Sequence, residues 1–188
     1  MRDMLKEFIV KTILGRKADT NNCDSIIMGC LSCAYDDMNT VGRFYSEGRK
    51  KDTFLIEYKK VLEKNNYSFS RELIDTVQEL FGDNDRIENK KGYATRYGLS
   101  QKLVNMTFKY LYVFKEYTGL DTDFSMCDCP IDSNVLDQLK WHKEVWSKMT
   151  QGNYIECQNN ISSELVGDSK YKERITEIGN MAFDFYCW

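Results

Sequence analysis

The chain has 188 residues, 42% of them hydrophobic and 29% charged, and its formal net charge at pH 7 is −3. This length and composition suit one globular domain with a sizeable core, and the negative charge argues against bulk affinity for nucleic acid. The charge is uneven, however. Residues 1–118 carry 20 basic and 17 acidic side chains, whereas residues 119–188 carry 6 and 12. The first part therefore leaves room for a local basic surface.

Neither a membrane span nor an export signal is visible in the sequence. No stretch reaches the roughly 20 uninterrupted apolar residues that a spanning helix needs, and the N-terminal residues lack the apolar run and cleavage site of a signal peptide. We therefore expect a cytoplasmic protein that does not bind membranes. Its seven cysteines are expected to be reduced, and most of them to be buried.

Apolar residues at spacings of three and four predict helices from the start of the chain. The first helix is expected at residues 2–14, and its predicted inner side holds Met4, Phe8, Ile9 and Ile13. Asn22 or Asp24 can cap the second helix. Its predicted inner face holds Ile26, Ile27, Cys30, Ala34, Met38 and Val41.

The next elements follow the same pattern. A third helix is expected to start at Asp52 or Thr53, and Ser68 or Ser70 can cap a fourth. Residues 83–98 are polar and are predicted to form a loop, with a short helix as the alternative.

Residues 100–117 are predicted to form the central helix, with Ser100 capping its first turn. Apolar side chains form two stripes around this helix, which implies packing on two sides. The remaining polar residues fall on one line: Lys102, Asn105, Lys109 and Glu116.

The rest of the chain is predicted to be helical after a loop at residues 119–130. Asp132 or Ser133 can cap a short helix, and Thr150 a helix through Ile161. A last helix is expected over residues 171–188. Because no stretch shows convincing alternation of period two, we predict an all-α fold with little or no sheet, in a single compact domain over residues 1–188.

Two segments of the sequence carry a recognisable pattern. Residues 97–102 (YGLSQK) contain a glycine before a long apolar helix with a lysine in its first turn, and residues 130–135 (PIDSNV) contain an aspartate that can cap a helix. Over residues 97–139 this pattern resembles the catalytic core of the helix-hairpin-helix DNA glycosylases of the endonuclease III type. The resemblance implies that Lys102 is a nucleophile that attacks the sugar carbon. Asp132 would assist by electrostatic stabilisation and proton transfer.

The resemblance also implies a DNA partner, whose flipped base would need an aromatic pocket. Candidate pocket residues are Tyr112, Trp141 and Trp146. The basic stretch before the lysine is the candidate surface for phosphate contacts. The candidate nucleic-acid-binding residues are Arg86, Lys90, Lys91, Arg96, Gly98 and Ser100.

Other candidate metal and catalytic sites have weaker support in the sequence. Cys30-x-x-Cys33 and Cys127-x-Cys129 could together offer four thiolates to zinc, but idle thiols are the default interpretation. Acidic residues of the second helix, Asp36 and Asp37 with Asn39, are more typical of a solvated face. His142, the only histidine, has no nucleophile motif beside it. We predict neither a metal nor a cofactor.

A second hypothesis belongs to another class of protein. The acidic balance, the 12 Tyr and 10 Phe residues and the absence of a strong catalytic motif also fit a non-enzymatic helical module for protein–protein interaction, including a homodimer.

Overall fold

The computed structural model of the chain describes residues 2–40, 51–83, 86–89, 92–167 and 172–187. Helices dominate these ranges, as predicted. Two 3-10 helices, Glu79–Phe81 and Trp146–Lys148, and two strands accompany them. The α-helices are α1 (Arg2–Leu14), α2 (Cys23–Asn39), α3 (Lys51–Lys64), α4 (Arg71–Gln78), α5 (Arg96–Val113), α6 (Lys115–Thr118), α7 (Ser133–Gln138), α8 (Gln151–Gly167), α9 (Lys172–Ile178) and α10 (Met181–Cys187).

A β-hairpin precedes α5 where a loop was predicted. Strand β1 (Arg86–Asn89) pairs antiparallel with β2 (Gly92–Thr95), so that Arg86 lies opposite Thr95 and Asn89 opposite Gly92. Backbone hydrogen bonds hold such a short ladder together. A strand of four residues is too short for apolar alternation to stand out in a polar stretch, which is why the sequence pattern missed it.

Helix α5 is the centre of the fold, which confirms the prediction for this segment. Every residue from Tyr97 to Phe108 is buried. α5 packs mainly against α2 and α4, while β2 and the 3-10 helix Trp146–Lys148 lie against its first part. The core therefore surrounds this helix.

Helix α5 begins earlier than predicted. Thr95 is its N-cap, because the Thr95 hydroxyl accepts a hydrogen bond from the Gly98 backbone N–H at 2.9 Å. Ser100, the predicted cap, is a fully buried residue inside the helix. Gly98 likewise lies in the first turn and not in a turn before it. The predicted continuation to residue 117 is interrupted at Phe114, where ψ is 20°, and α6 follows.

The apolar face of α1 is wrongly predicted to face inward. Its apolar side chains are between 42% and 75% exposed, whereas Val10 is buried. We call the exposed set the α1 stripe: Met4, Leu5, Phe8, Ile9 and Ile13. α1 reaches α2 closely at Gly29, where an added Cβ would lie 2.9 Å from the Leu14 Cβ. The close contact with α2 covers one side of α1 and leaves the α1 stripe exposed.

The predicted last helix is two helices. Gly179 separates α9 from α10 with a φ of +57°, and a Cβ there would lie 2.5 Å from the Ser125 carbonyl oxygen and 2.7 Å from that of Cys127. Close approach to the loop before α7 therefore breaks the helix. Helix α8 also extends beyond the predicted Ile161 to Gly167.

Four helix caps are confirmed. The side chains of Asn22, Ser70, Asp132 and Thr150 accept backbone N–H groups at the starts of α2, α4, α7 and α8. In the part of the chain that the structure describes, no helix combines the length and apolar character that crossing a membrane requires.

Candidate functional site

Lys102 and Asp132 form a nearly buried ion pair between α5 and the start of α7. The Lys102 Nζ lies 2.8 Å from the Asp132 Oδ2, and the two side chains are 6% and 12% exposed. The other carboxylate oxygen, Oδ1, accepts the backbone N–H of Val135 at 3.1 Å. The cap of α7 and the ion pair thus use the two oxygens of one carboxylate.

The pair lies on the wall of a cleft of about 420 Å³. The cleft is formed by residues of α2, α5 and α7 and by Trp146. Its lining residues are Asp37, Thr40, Lys102, Met106, Lys109, Tyr110, Asp132, Ser133, Asn134 and Trp146. The two residues that the sequence pattern singled out therefore share one concave surface.

A second buried ion pair borders the same cleft. Lys109, two helical turns after Lys102, binds the fully buried carboxylate of Asp184 in α10. Burial raises the pKa of Asp184, while the nearby ammonium groups of Lys109 and Lys102 oppose this rise. Two lysines on one face of α5 are thus each matched with an aspartate from the C-terminal part of the chain.

The opposite wall of the cleft comes from α2. The Tyr110 hydroxyl donates a hydrogen bond of 2.7 Å to the Asp37 Oδ2. Burial, and then this bond to a carboxylate, raises the pKa of Tyr110, so the phenol remains protonated. Asp37 thus adds a further carboxylate to the cleft.

Trp146 reaches the cleft because Gly98 has no side chain. A Cβ on Gly98 would lie 2.7 Å from the Ser147 carbonyl oxygen and 2.8 Å from that of Trp146. Thr95 extends this contact, because its hydroxyl donates to the Met149 carbonyl oxygen at 2.8 Å. The start of α5 and the 3-10 helix that carries Trp146 are thereby held in direct contact.

The other two predicted pocket aromatics lie elsewhere. Trp141 is buried and does not line the cleft. Tyr112 borders a different cavity, where its ring packs edge-on against Phe124 with centroids 5.4 Å apart. Residue type alone could not distinguish these aromatic side chains, since all three suit a core position.

The predicted nucleic-acid-binding residues are only partly accounted for. Gly98 and Ser100 are buried inside α5, so they do not present groups to a ligand at the surface. Arg96 is half-buried, and its guanidinium donates to the Gly82 carbonyl oxygen at 2.6 Å. Arg86 is in strand β1. Lys90 and Lys91 lie outside the described residues.

The cysteines do not assemble into a metal site in the described part of the chain. No group of three or more metal-binding side chains occurs among the residues searched there, and all seven thiols are free. Burial raises the pKa of the Cys30, Cys127 and Cys129 thiols, which disfavours the thiolate that a metal needs. Asp36, from the other weighed metal set, pairs with Lys51, and His142 is exposed.

The sequence analysis did not identify the second ion pair, Lys109 with Asp184, that borders the cleft. Lys109 was placed on the polar line of the central helix, and its spacing of seven from Lys102 is the signal that could have assigned it to the same site. Asp184, by contrast, stands in an aromatic C-terminal segment with no pattern that links it to α5. Only the packing of α10 brings it there.

Comparison of the chain with protein-family models, with curated proteins and with solved structures finds no match.

Proposed function

We propose that this protein binds nucleic acid through a DNA-glycosylase-like helical fold, and that it acts on the sugar of a damaged or abasic nucleotide. The observation that carries the proposal is the 2.8 Å contact between the Lys102 amine and the Asp132 carboxylate on the wall of one cleft. A nearly buried lysine beside a carboxylate suits nucleophilic attack on a carbonyl carbon, because covalent catalysis by an amine proceeds through a Schiff base.

The chemistry assigns one role to each partner. Asp132 accepts the proton of the Lys102 ammonium, and the free amine attacks C1′ of an abasic deoxyribose in its aldehyde form. A carbon–nitrogen bond forms, and the carbonyl oxygen leaves as water to give an imine. Loss of a C2′ proton then expels the 3′ phosphate. On an intact nucleotide the same attack would displace the base from C1′.

The charges of the cleft indicate which part of a nucleotide it would hold. Two ammonium groups, Lys102 and Lys109, and two carboxylates, Asp37 and Asp132, line the cleft, so its lining carries no excess of positive charge. Such a cleft disfavours a phosphate and favours an uncharged sugar or base. The phosphates would therefore bind outside it.

The β-hairpin is the best candidate for those phosphate contacts. Strand β2 packs against the 3-10 helix that carries Trp146 into the cleft. The Lys148 ammonium lies 4.5 Å from the centre of the Tyr93 ring on this strand. Lys148 would thus offer a cation to a phosphate close to the cleft.

Borohydride trapping on a duplex with one abasic site tests the proposal. Borohydride reduces the imine to a stable amine, so an active lysine leaves a covalent protein–DNA adduct. We expect an adduct with the wild-type chain and none with Lys102→Met. Asp132→Asn should slow adduct formation by about 100-fold or more, because general acid–base catalysis contributes about that much.

Lys109→Met is the matched control. It removes another buried lysine–aspartate pair of the same helix but keeps the Lys102 amine, so it should still form the adduct. Absence of any adduct with the wild-type chain, or an adduct with Lys102→Met that maps to another lysine, would overturn the proposed activity.

A second candidate function follows from the α1 stripe, whose five apolar side chains are exposed. Contiguous exposed apolar surface marks interaction sites. The lysines beside the stripe already pair with carboxylates, Lys6 with Glu116 and Lys11 with Glu7. A rim neutralised in this way suits an apolar partner surface more than an anionic one, and we take a second copy of the chain as that partner.

Light scattering over a range of protein concentrations tests this alternative. The wild-type chain should dimerise, and Phe8→Glu should shift the equilibrium to monomer. Val166→Glu is the control, since Val166 is 82% exposed on α8, outside the stripe. A wild-type chain that stays monomeric at high concentration contradicts the alternative.

A further inference from the structure

Two glutamine side chains hold the segment that presents Asp132. Gln158 on α8 accepts the backbone N–H of Cys129 at 3.0 Å and donates to the Cys129 carbonyl oxygen at 2.7 Å. Gln101 on α5 accepts the N–H of Ile131 at 3.2 Å and donates to the Ile131 carbonyl oxygen at 3.1 Å. Each amide thus satisfies both backbone groups of one residue, as a neighbouring β-strand would.

This arrangement provides hydrogen-bond partners for the buried backbone groups on either side of Pro130. Cys129 and Ile131 are fully buried on either side of a proline, which has no N–H to donate. Buried backbone groups without hydrogen-bond partners destabilise a fold. Since both glutamines are also fully buried, the polar groups of the segment and of the two side chains satisfy one another.

The far end of the segment is fixed as well. Asp128 accepts two hydrogen bonds from the Arg71 guanidinium, at 2.7 and 3.0 Å, and one from the Tyr154 hydroxyl at 3.0 Å. The Pro130 carbonyl oxygen accepts a contact from the Cys129 thiol at 3.7 Å. Every residue from Asp128 to Asp132 is therefore engaged by a side-chain hydrogen bond. The stretch is a rigid support immediately before α7.

The position of Gln101 links this support to the ion pair. Gln101 and Lys102 are consecutive residues of α5, and they hold the consecutive residues Ile131 and Asp132. Successive side chains diverge by about 100° around a helix. Gln101 and Lys102 therefore contact the segment from different directions. A shift of Ile131 would move the Asp132 carboxylate away from the Lys102 amine.

We propose that Gln101 and Gln158 are positioning residues, which hold the Asp132 carboxylate against the Lys102 amine through the backbone of Ile131 and Cys129. This inference rests on the proposed function for its catalytic meaning. Gln101 acts on the residue next to Asp132, whereas Gln158 acts two residues further away. Loss of Gln101 should therefore have the larger effect.

The test compares Gln101→Met and Gln158→Met, which keep the side-chain volume approximately and remove the amide. At saturating abasic duplex, Gln101→Met should slow borohydride trapping by about 10- to 100-fold, because small misplacements of catalytic groups cost about that much. The dissociation constant for the duplex should change by less than about threefold, since neither glutamine lines the cleft. Gln158→Met should slow trapping less.

Tyr58→Phe is the matched control for general loss of stability. It removes a buried hydrogen bond of 3.0 Å to the Thr107 hydroxyl, remote from the segment, and should keep the wild-type trapping rate. Should the methionine variants fail to fold, Gln101→Asn keeps a neutral amide but shortens the side chain by one methylene group, so the amide no longer reaches the Ile131 backbone. Trapping at the wild-type rate by folded variants of Gln101 would overturn the proposal.

A second measurement does not depend on activity. The ¹⁵N–¹H signal of the Lys102 ammonium reports the contact with Asp132, because a buried and paired ammonium exchanges slowly with water. We expect this signal to broaden or shift in the Gln101 variants and to stay unchanged in Tyr58→Phe. If the wild-type chain forms no adduct but the signal responds, the lyase function fails and the positioning role stands. An unchanged signal overturns the positioning role.

Discussion

Lys102 and Asp132 are 30 positions apart in the chain, and their charged atoms meet at 2.8 Å in an almost solvent-free contact. The ammonium comes from the central helix and the carboxylate from the N-cap of a short later helix. The contact joins α5 to α7 and forms one wall of a cleft. It has consequences for stability as well as for the proposed chemistry.

Removal of one partner of this pair should destabilise the fold strongly. Lys102→Met leaves the Asp132 carboxylate buried without its cation, and we expect the free energy of unfolding to fall by about 3–5 kcal/mol. Denaturation with urea, followed by circular dichroism, measures this change. The double variant Lys102→Met, Asp132→Asn should be more stable than Lys102→Met alone, because asparagine still caps α7 and no charge remains. A double variant as unstable as the sum of both single variants would contradict this account.

The pH dependence of stability should report the burial of Asp184. Burial raises the pKa of Asp184 in the folded chain above the ordinary value for an aspartate of about 3.8, so the native state holds this proton more tightly than the unfolded chain does. The stabilisation is fully present below about pH 3.8 and is lost as the pH rises through the folded pKa. The stability of the wild-type chain relative to Asp184→Asn should therefore decrease as the pH rises above about 4. Denaturant unfolding at a series of pH values measures the difference.

Asp123 provides a control, because its effect on the pH dependence of stability has the opposite sign. Hydrogen bonds from the side chain and backbone of Ser125 lower the pKa of this exposed carboxylate. Its contribution to the stability of the fold is present above the pKa of the unfolded state and is lost as the pH falls through the pKa of the folded state. Relative to Asp123→Asn, the wild-type chain should lose stability only as the pH falls below about 4. The same direction of change for both variants would show that the assignment to Asp184 is wrong.

The thiols should differ sharply in reactivity. Cys23 is exposed, whereas burial raises the pKa of Cys30, Cys127 and Cys157 and so removes the reactive thiolate. Brief treatment of the native protein with a maleimide should modify Cys23 first, and the three buried thiols only after unfolding. Peptide mass spectrometry identifies the modified sites. Rapid labelling of Cys127 in the native protein would contradict the described packing of the loop before α7.

Gly98→Ala should destabilise the protein and disturb the cleft. The new methyl group would approach the carbonyl oxygens of Trp146 and Ser147 to less than 3 Å, so the 3-10 helix must move. We expect a loss of about 1–3 kcal/mol, the usual cost of overpacking. Trp146 fluorescence during denaturation would report both effects, with the other two tryptophans, Trp141 and Trp188, replaced by Phe to isolate the signal. Gly152→Ala in α8 is the control, because no atom lies within 4 Å of its added Cβ and alanine favours a helix. A Gly98→Ala protein as stable as Gly152→Ala would refute the close contact.

The sequence by itself determined the helical class of the fold and the ends of several helices. Apolar spacing identified α5 as the central helix, because a helix that is apolar around most of its circumference must be enclosed. Asn22, Ser70 and Asp132 were identified as caps because capping is a contact between neighbours in the chain. The pairing of Lys102 with Asp132 was suggested by a family resemblance, and the structure brings the two side chains together.

Only the tertiary structure decided which of the candidate residues share a surface. Trp146 lines the cleft and Tyr112 does not, Asp184 reaches Lys109, and the apolar side of α1 remains exposed. Each of these outcomes depends on how separate helices pack. A pattern of three- and four-residue spacing shows that a face is apolar, but it does not show what covers that face or how much of it is covered. Local contacts such as helix caps can be predicted from neighbouring residues. A cleft depends on contacts between residues that are far apart in the sequence.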